Sequence, residues 1–92
     1  MLFIRDLIWD AWNIGHIARH QVTPEEVEEA CHTDFIHRQS YQGRLLLIGP
    51  TRMGRMLAVV LAPRDEYTYY VVTARPADRA ERRQYEQEKG ST

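Results

Sequence analysis

The chain has 92 residues, a length that predicts one domain with one modest core. A hydrophobic share of 43%, with five Tyr, two Trp and two Phe, excludes a disordered chain, and no apolar run reaches the roughly 20 residues that span a bilayer. A net charge of −1 excludes simple electrostatic coating of nucleic acid, and Cys31, the single cysteine, excludes an intrachain disulfide, so a reducing cytoplasm is expected.

The opening MLFIRDLIWD carries Arg5, Asp6 and Asp10 and lacks a signal-peptide pattern. Leu2 to Ile8 alternates weakly and predicts an edge strand. Asp10 stands at a helix N-cap, and residues 11 to 20 present Ala11, Ile14 and Ala18, or Trp12 and Ile17, near one face. Gly15 weakens that helix by roughly 1 kcal/mol against Ala. Thr23-Pro24-Glu25-Glu26 is a stronger start. Thr23 caps, Pro24 suits the first helical position, and Glu26 closes a capping box. Val27, Ala30 and Cys31 then give the buried stripe.

Strands follow. Phe35 to Ser40 is short, and Tyr41-Gln42-Gly43 turns the chain. Arg44 to Ile48 and Met56 to Leu61 are apolar runs around a hairpin loop, Thr51 to Gly54, with Pro63 closing the second run. Arg64-Asp65-Glu66 is the next turn. Tyr67 to Ala74 is rich in Tyr, Val and Thr, and Pro76 ends it. The short spacings predict an antiparallel meander. Asp78 caps a last helix, with Glu81 three residues on, that runs to about Lys89. Residues 90 to 92 read as a frayed tail. The expected class is α+β: an antiparallel sheet of four to five strands, two helices before the meander and one after it. In the last strand Tyr67, Tyr69, Val71, Thr73 and Arg75 are assigned to the open face. A one-residue slip would reverse that assignment.

No cofactor or metal motif is present. His16 and His20 are spaced i, i+4, but no third ligand stands at a telling spacing. Cys31 lies on the apolar stripe and reads as structural. Charge is divided: Glu25, Glu26, Glu28, Glu29 and Asp34 form an acidic segment, and Arg75, Arg79, Arg82 and Arg83 a basic one. A strand delivers Arg75 to the sheet edge, and a helix then presents Arg79 with Arg82 or Arg83 one turn on. Converging guanidinium groups suit a phosphate. The plain alternative is an exposed helix with i, i+4 ion pairs such as Arg82–Glu86.

The strand-Ala-Arg step into a helix with Glu-Arg-x-x-Tyr resembles the C-terminal signature of BrnT toxins. Trp9-Asp10, Asn13, Arg19-His20, Val22, Glu25 to Ala30, Ile48-Gly49, Gly54-Arg55, Thr73-Ala74-Arg75 and Glu81-Arg82-Arg83-Gln84-Tyr85 follow the order of motifs in that family. The resemblance covers roughly residues 7 to 87. It departs from the family at Arg19, where Lys is usual, at Pro76, and in its weaker basic charge.

The resemblance implies a RelE-like fold, a metal-independent endoribonuclease that stops translation, and a BrnA-type ribbon-helix-helix antitoxin as partner. Such cleavage needs a base, an acid and cations at phosphorus, with the 2′-hydroxyl as nucleophile. His20 is the candidate base or acid, because imidazole ordinarily exchanges protons near neutrality; a structural histidine is the alternative. Arg75 and Arg79 are the candidates for the phosphate, extended by Arg55 and Arg82. Tyr85 either donates to an oxygen or packs. Tyr67 and Tyr69 either stack bases or form cross-strand pairs. The rival function is a non-catalytic protein-interaction module.

Overall fold

The computed structural model describes residues 2–90. Of the expected tail, Ser91 and Thr92 lie outside the described residues. The order is β1 (Asp6–Ile8), α1 (Ala11–Ala18), α2 (Pro24–Cys31), β2 (Ile36–Gln39), β3 (Leu45–Pro50), β4 (Met56–Asp65), β5 (Thr68–Pro76) and α3 (Arg79–Lys89). The fold is α+β, with five strands in the order β1-β5-β4-β3-β2.

All three helices start at the expected caps, Asp10, Thr23 and Asp78, and Asp10 closes a capping box with Asn13 as the other two do with Glu26 and Glu81. Asp10 accepts from the Asn13 N–H, Thr23 from Glu26 and Asp78 from Glu81, and each third residue returns a side-chain acceptor to the cap N–H. These bonds satisfy backbone donors that a helix cannot pair internally.

The strands β2 to β5 form the expected antiparallel meander. The expectation of a wholly antiparallel sheet is corrected at β1, which pairs with β5 in parallel, Asp6 opposite Thr68 and Ile8 opposite Tyr70. The sheet is mixed. A parallel pair needs a long crossover, and here everything from α1 to β4 supplies it. The pairing is held by Asn13, whose side-chain amide donates to Ile8 O at 2.9 Å and Val71 O at 3.1 Å.

Asn13 also corrects the expected face of α1. The buried residues are Asn13 and Ile17, whereas Trp12 and Ile14 are exposed. A polar residue occupies the core because every polar atom of its amide is paired. The amide oxygen accepts from the Asp10 N–H at 2.9 Å.

The apolar residues divide between the two faces of the sheet. Ile17, Val22, Val27, Ala30 and Cys31 pack with Leu47, Leu57, Val59, Leu61, Val71 and Ala74. On the opposite face Ile36, Ile48, Ala58 and Ala77 pack with Leu46, Met56 and Tyr85, under α3. Alternation along β3 and β4 separates the two sets. In β5 the alternation breaks. Leu61 pairs with Val71 and Val60 with Thr73, leaving Val72 as an extra residue in a bulge. The bulge reverses the side-chain phase, so Tyr69 and Val71 pack with Ala74 in the main core. The expected open-face set of Tyr67 to Arg75 is therefore split. A second register shift accommodates Pro63 inside β4, which runs on to Asp65 instead of closing there.

Gly49 marks where α2 crosses closest to β3. A Cβ there would lie 2.9 Å from Ala30 O and 3.0 Å from the Phe35 Cβ. Gly49→Ala is expected to destabilise the fold by about 1–3 kcal/mol, because the obstructing atom is backbone. An unchanged urea midpoint would show that α2 yields at this contact.

Asn13→Ala is expected to cost about 2–3 kcal/mol in urea titrations, since it strands buried carbonyl groups. Asn13→Asp is expected to cost more, because a carboxylate facing Ile8 O and Val71 O cannot donate to either. Equal midpoints for the parent and both variants would remove Asn13 from its role in the fold.

Candidate functional site

One end of the sheet gathers residues far apart in sequence. Pro50 at the end of β3 pairs with Met56 at the start of β4, and Leu57 pairs with Pro76 at the end of β5. The Ala77 N–H donates to Met56 O at 2.9 Å. The turn between α1 and α2 reaches the same end, where Arg55 Nη1 donates to Gln21 O at 2.7 Å. His20 precedes Gln21, and Arg79 stands two residues beyond Ala77, so Arg55–Met56 links the His20 turn to the first turn of α3.

Arg55 is half-buried and is held by Glu26, with Nη1 at 3.0 and 3.1 Å from the two carboxylate oxygens. Burial pushes the Glu26 carboxyl up. Hydrogen bonds from the Thr23 backbone and Arg55, with the Arg55 charge, outweigh it and leave the carboxyl below its ordinary value. Arg55 thus fastens the start of α2 to β4.

Arg75 makes a two-pronged contact with Glu81. Its Nη1 and Nη2 lie 2.8 Å from Oε1 and Oε2. The Glu81 side chain is only 11% exposed, and its Oε1 also accepts from the Asp78 N–H at 2.9 Å. The Arg75 hydrogen bond, against the opposing effect of burial, holds the Glu81 carboxyl below its ordinary value. The same bond raises the guanidinium of Arg75. Arg75 is therefore occupied by a carboxylate, the geometry that a phosphate would otherwise use. Sequence reading treats Glu81 only as a capping residue. It is also the partner that takes Arg75.

Arg79 lies at the start of α3, exposed, and makes no side-chain hydrogen bond or ion pair among the described residues. It is the cation of this turn that remains open to an anion. Arg82 folds back, its Nη1 donating to Ala77 O at 2.7 Å, and so stabilises the turn instead of pairing with Glu86. His20 is half-exposed, with its ring 5.8 Å from that of His16 in an edge-on contact.

The three tyrosines lie elsewhere. The Tyr85 hydroxyl donates to Asp34 O at 2.7 Å, and its ring packs on the core beneath α3. Burial, then the Asp34 charge, raises its phenol. Lys89–Asp34 and Arg38–Glu88 reinforce this docking of α3. Tyr67 stands in the β4–β5 turn with φ of 66°, its ring 5.3 Å from that of Phe3. It is separated from Arg75 by most of the length of β5, about 25 Å. Tyr69 packs against the main core. Tyr67 and Tyr69 do not join the arginines on one open face.

A further feature was hidden behind a metal-ligand spacing. Trp12, His16 and His20 stand at i, i+4 and i+8, and the Trp12 and His16 rings stack at 4.8 Å with an interplanar angle of 8°. Among the described residues no cluster of three His, Cys, Asp or Glu side chains is arranged to hold a metal ion.

No protein-family model and no curated protein matches the chain.

Glu81 gives the fold a defined acid response. Its carboxyl is lowered in the folded state, so it contributes stability that is fully present above its unfolded value, roughly 4.3. That contribution is lost as pH falls through the lower folded value. Glu81→Gln is expected to lower stability at pH 7 and to flatten its decline below pH ~4. Thermal melts of both proteins across that range test this. Parallel curves would show that the Arg75–Glu81 pair is energetically silent.

Proposed function

We propose that this protein is an RNA-cleaving toxin of the BrnT type with a RelE-like fold, neutralised by a BrnA-like ribbon-helix-helix antitoxin. The α+β architecture is compatible with that fold. One observation carries the functional reading: Arg55 and Met56 join the His20 turn to the strand–helix turn of Arg75 and Arg79. The His20 turn, on the α1–α2 side of the sheet, and the Arg79 turn, on the α3 side, thereby stand at the same end of it.

On this reading the RNA phosphate lies against Arg79 at the start of α3, where backbone N–H groups also face outward. The 2′-hydroxyl attacks phosphorus, the P–O5′ bond breaks, and a 2′,3′-cyclic phosphate and a 5′-hydroxyl result. His20 performs one of the two proton transfers, taking the proton from the 2′-hydroxyl as base or giving one to the leaving 5′-oxygen as acid, and solvent water performs the other. Arg79 offsets the charge that gathers on the phosphoryl oxygens. Arg75, Arg55 and Arg82 are positioning residues. They hold the strand–helix turn and the α2 start in place through Glu81, Glu26 and Ala77 O. Tyr85 seats α3.

A specific observation favours the rival, a protein-interaction module: two of the candidate arginines are already neutralised by glutamates. One assay separates the two. Purified folded protein is expected to cleave RNA in the presence of a chelator. Intact RNA both with chelator and with added divalent metal would decide for the interaction module, and cleavage only with metal would overturn the metal-independent mechanism.

Arg79→Ala is expected to lower cleavage at least tenfold with no change in melting temperature, the loss of a charge-assisted contact in the transition state being roughly 2–4 kcal/mol. Arg64→Ala, in the β4–β5 turn region, is expected to cleave like the parent. Arg75→Ala is expected to lower the melting temperature, since it strands the buried Glu81 carboxylate. Unaltered cleavage by Arg79→Ala would remove Arg79 from the site.

A further inference from the structure

The outer face of α1 carries an aromatic surface that the fold does not use. Trp12 is 60% exposed, and its indole N–H has no hydrogen-bond partner among the described residues. Trp9, by contrast, is half-buried and donates to Glu28 at 2.9 Å. A small domain gains by burying its tryptophans, yet the inward face of α1 is given to Asn13 and Ile17. One face of the Trp12 indole is covered by His16, near-parallel at 8°, and the rest of the ring meets solvent. Trp12 and His16 stack on the outer face of α1, Arg19 follows at its C-cap, and the His20 ring in the next turn meets that of His16 at 5.8 Å. Arg19 is exposed and makes no side-chain ion pair among the described residues.

Charge along this surface favours an anion. Ala11–Ala18 contains no carboxylate, whereas α2 carries Glu25, Glu26, Glu28 and Glu29, and α3 carries Glu81, Glu86 and Glu88. Apolar docking of a protein is the poorer fit. Ile14, the other exposed apolar residue of α1, is about 200° around the helix from Trp12, so the two make no contiguous patch.

We infer that Trp12, His16 and Arg19 form a binding strip for single-stranded RNA, with bases stacking on the Trp12–His16 pair and the backbone following Arg19 toward His20. Every base presents a π-face, so such a strip binds without reading sequence. It supplies the binding energy that holds the strand while its phosphate lies at Arg79. The inference rests on the ribonuclease reading and deepens it by naming where the unreacting nucleotides lie.

The test uses a short, dye-labelled, single-stranded 2′-O-methyl RNA, which lacks the nucleophile and so reports binding alone. Binding is followed by fluorescence anisotropy on the full chain. Trp12→Ala is expected to raise Kd about tenfold, Trp12→Leu similarly, and Trp12→Phe far less, because Phe restores a π-face. Arg19→Ala is expected to reduce the salt dependence of binding by about one phosphate contact. Circular dichroism melts of each variant check the fold, and Arg19→Ala supplies an independent reading if Trp12→Ala melts early. Parent-like Kd in Trp12→Ala and Trp12→Leu, with cleavage by the parent intact, overturns the strip and leaves the ribonuclease reading standing. A parent that neither binds the oligonucleotide nor cleaves RNA overturns both. A Trp12→Ala variant that binds normally but changes its sedimentation overturns the strip in favour of a contact between two copies of the chain.

Discussion

A buried amide organises this fold. Asn13 is 0% exposed and joins three elements: it caps back onto Asp10, and it donates to Ile8 O of β1 and Val71 O of β5. The direction of β1 follows from it. With α1 starting just after Ile8 and its first turn fastened to the middle of β5, β1 must run alongside β5 in the same sense. The Tyr70 hydroxyl adds a second fastening by donating to the Asp10 carboxylate at 3.0 and 3.2 Å. Unpaired buried amides are costly, so the same network also rejects alternative packings of α1. The path of the chain from α1 then brings the His20 turn to the end of the sheet where β4 starts.

The second constraint is the bulge at Val72. A sheet in so short a chain has to bury apolar side chains on both faces, because one face supports only a thin core. The meander supplies residues for both, and β5 must serve the main core at Tyr69 and Val71 and again at Ala74. Strict alternation would turn Ala74 away and aim Arg75 at α1. One extra residue resolves the conflict and presents Arg75 to Glu81 across the strand–helix turn. The position of a candidate functional residue is thus a consequence of core packing some residues earlier.

These two features also explain what was legible in the amino-acid sequence. The caps at Asp10, Thr23 and Asp78 are local signals, and each helix starts where they say. The buried stripe of Val27, Ala30 and Cys31 is periodic, and the unbroken apolar runs of β3 and β4 are bounded by turn residues, so they too can be read directly. The parallel pairing of β1 depends on an amide and a carbonyl 58 positions apart. Hydrophobic periodicity cannot register a polar residue as core, so it offers either Ala11, Ile14 and Ala18 or Trp12 and Ile17 as the inward face, and of these only Ile17 is buried, beside Asn13. Arg75 was legible as a residue delivered to a strand–helix turn, but its partner was not. Glu81 satisfies the capping pattern fully, and nothing in that pattern reveals its second oxygen reaching back to Arg75.

Net charge is a poor guide to what this surface can bind, because so many charges are spent internally. Glu26 is held by Arg55, Glu81 by Arg75, Glu88 by Arg38 and Asp34 by Lys89. Each pair contributes one charge of either sign, and at a distance its field largely cancels. What an approaching ligand meets is the remainder, and the remainder is uneven. Carboxylates crowd α2 and are absent from α1, while Arg19 and Arg79 are exposed on the two turns that Arg55 and Met56 connect. The internal pairs have a further effect. Holding Arg75 on Glu81 fixes the first turn of α3, and holding Arg55 on Glu26 fixes the first turn of α2, so the uncommitted arginines are presented from rigid turns. On the proposed reading, the neutralised arginines shape the site and the free ones contact the RNA. A slightly acidic chain can then carry a local cationic surface without the excess of positive charge that repels itself across a small fold.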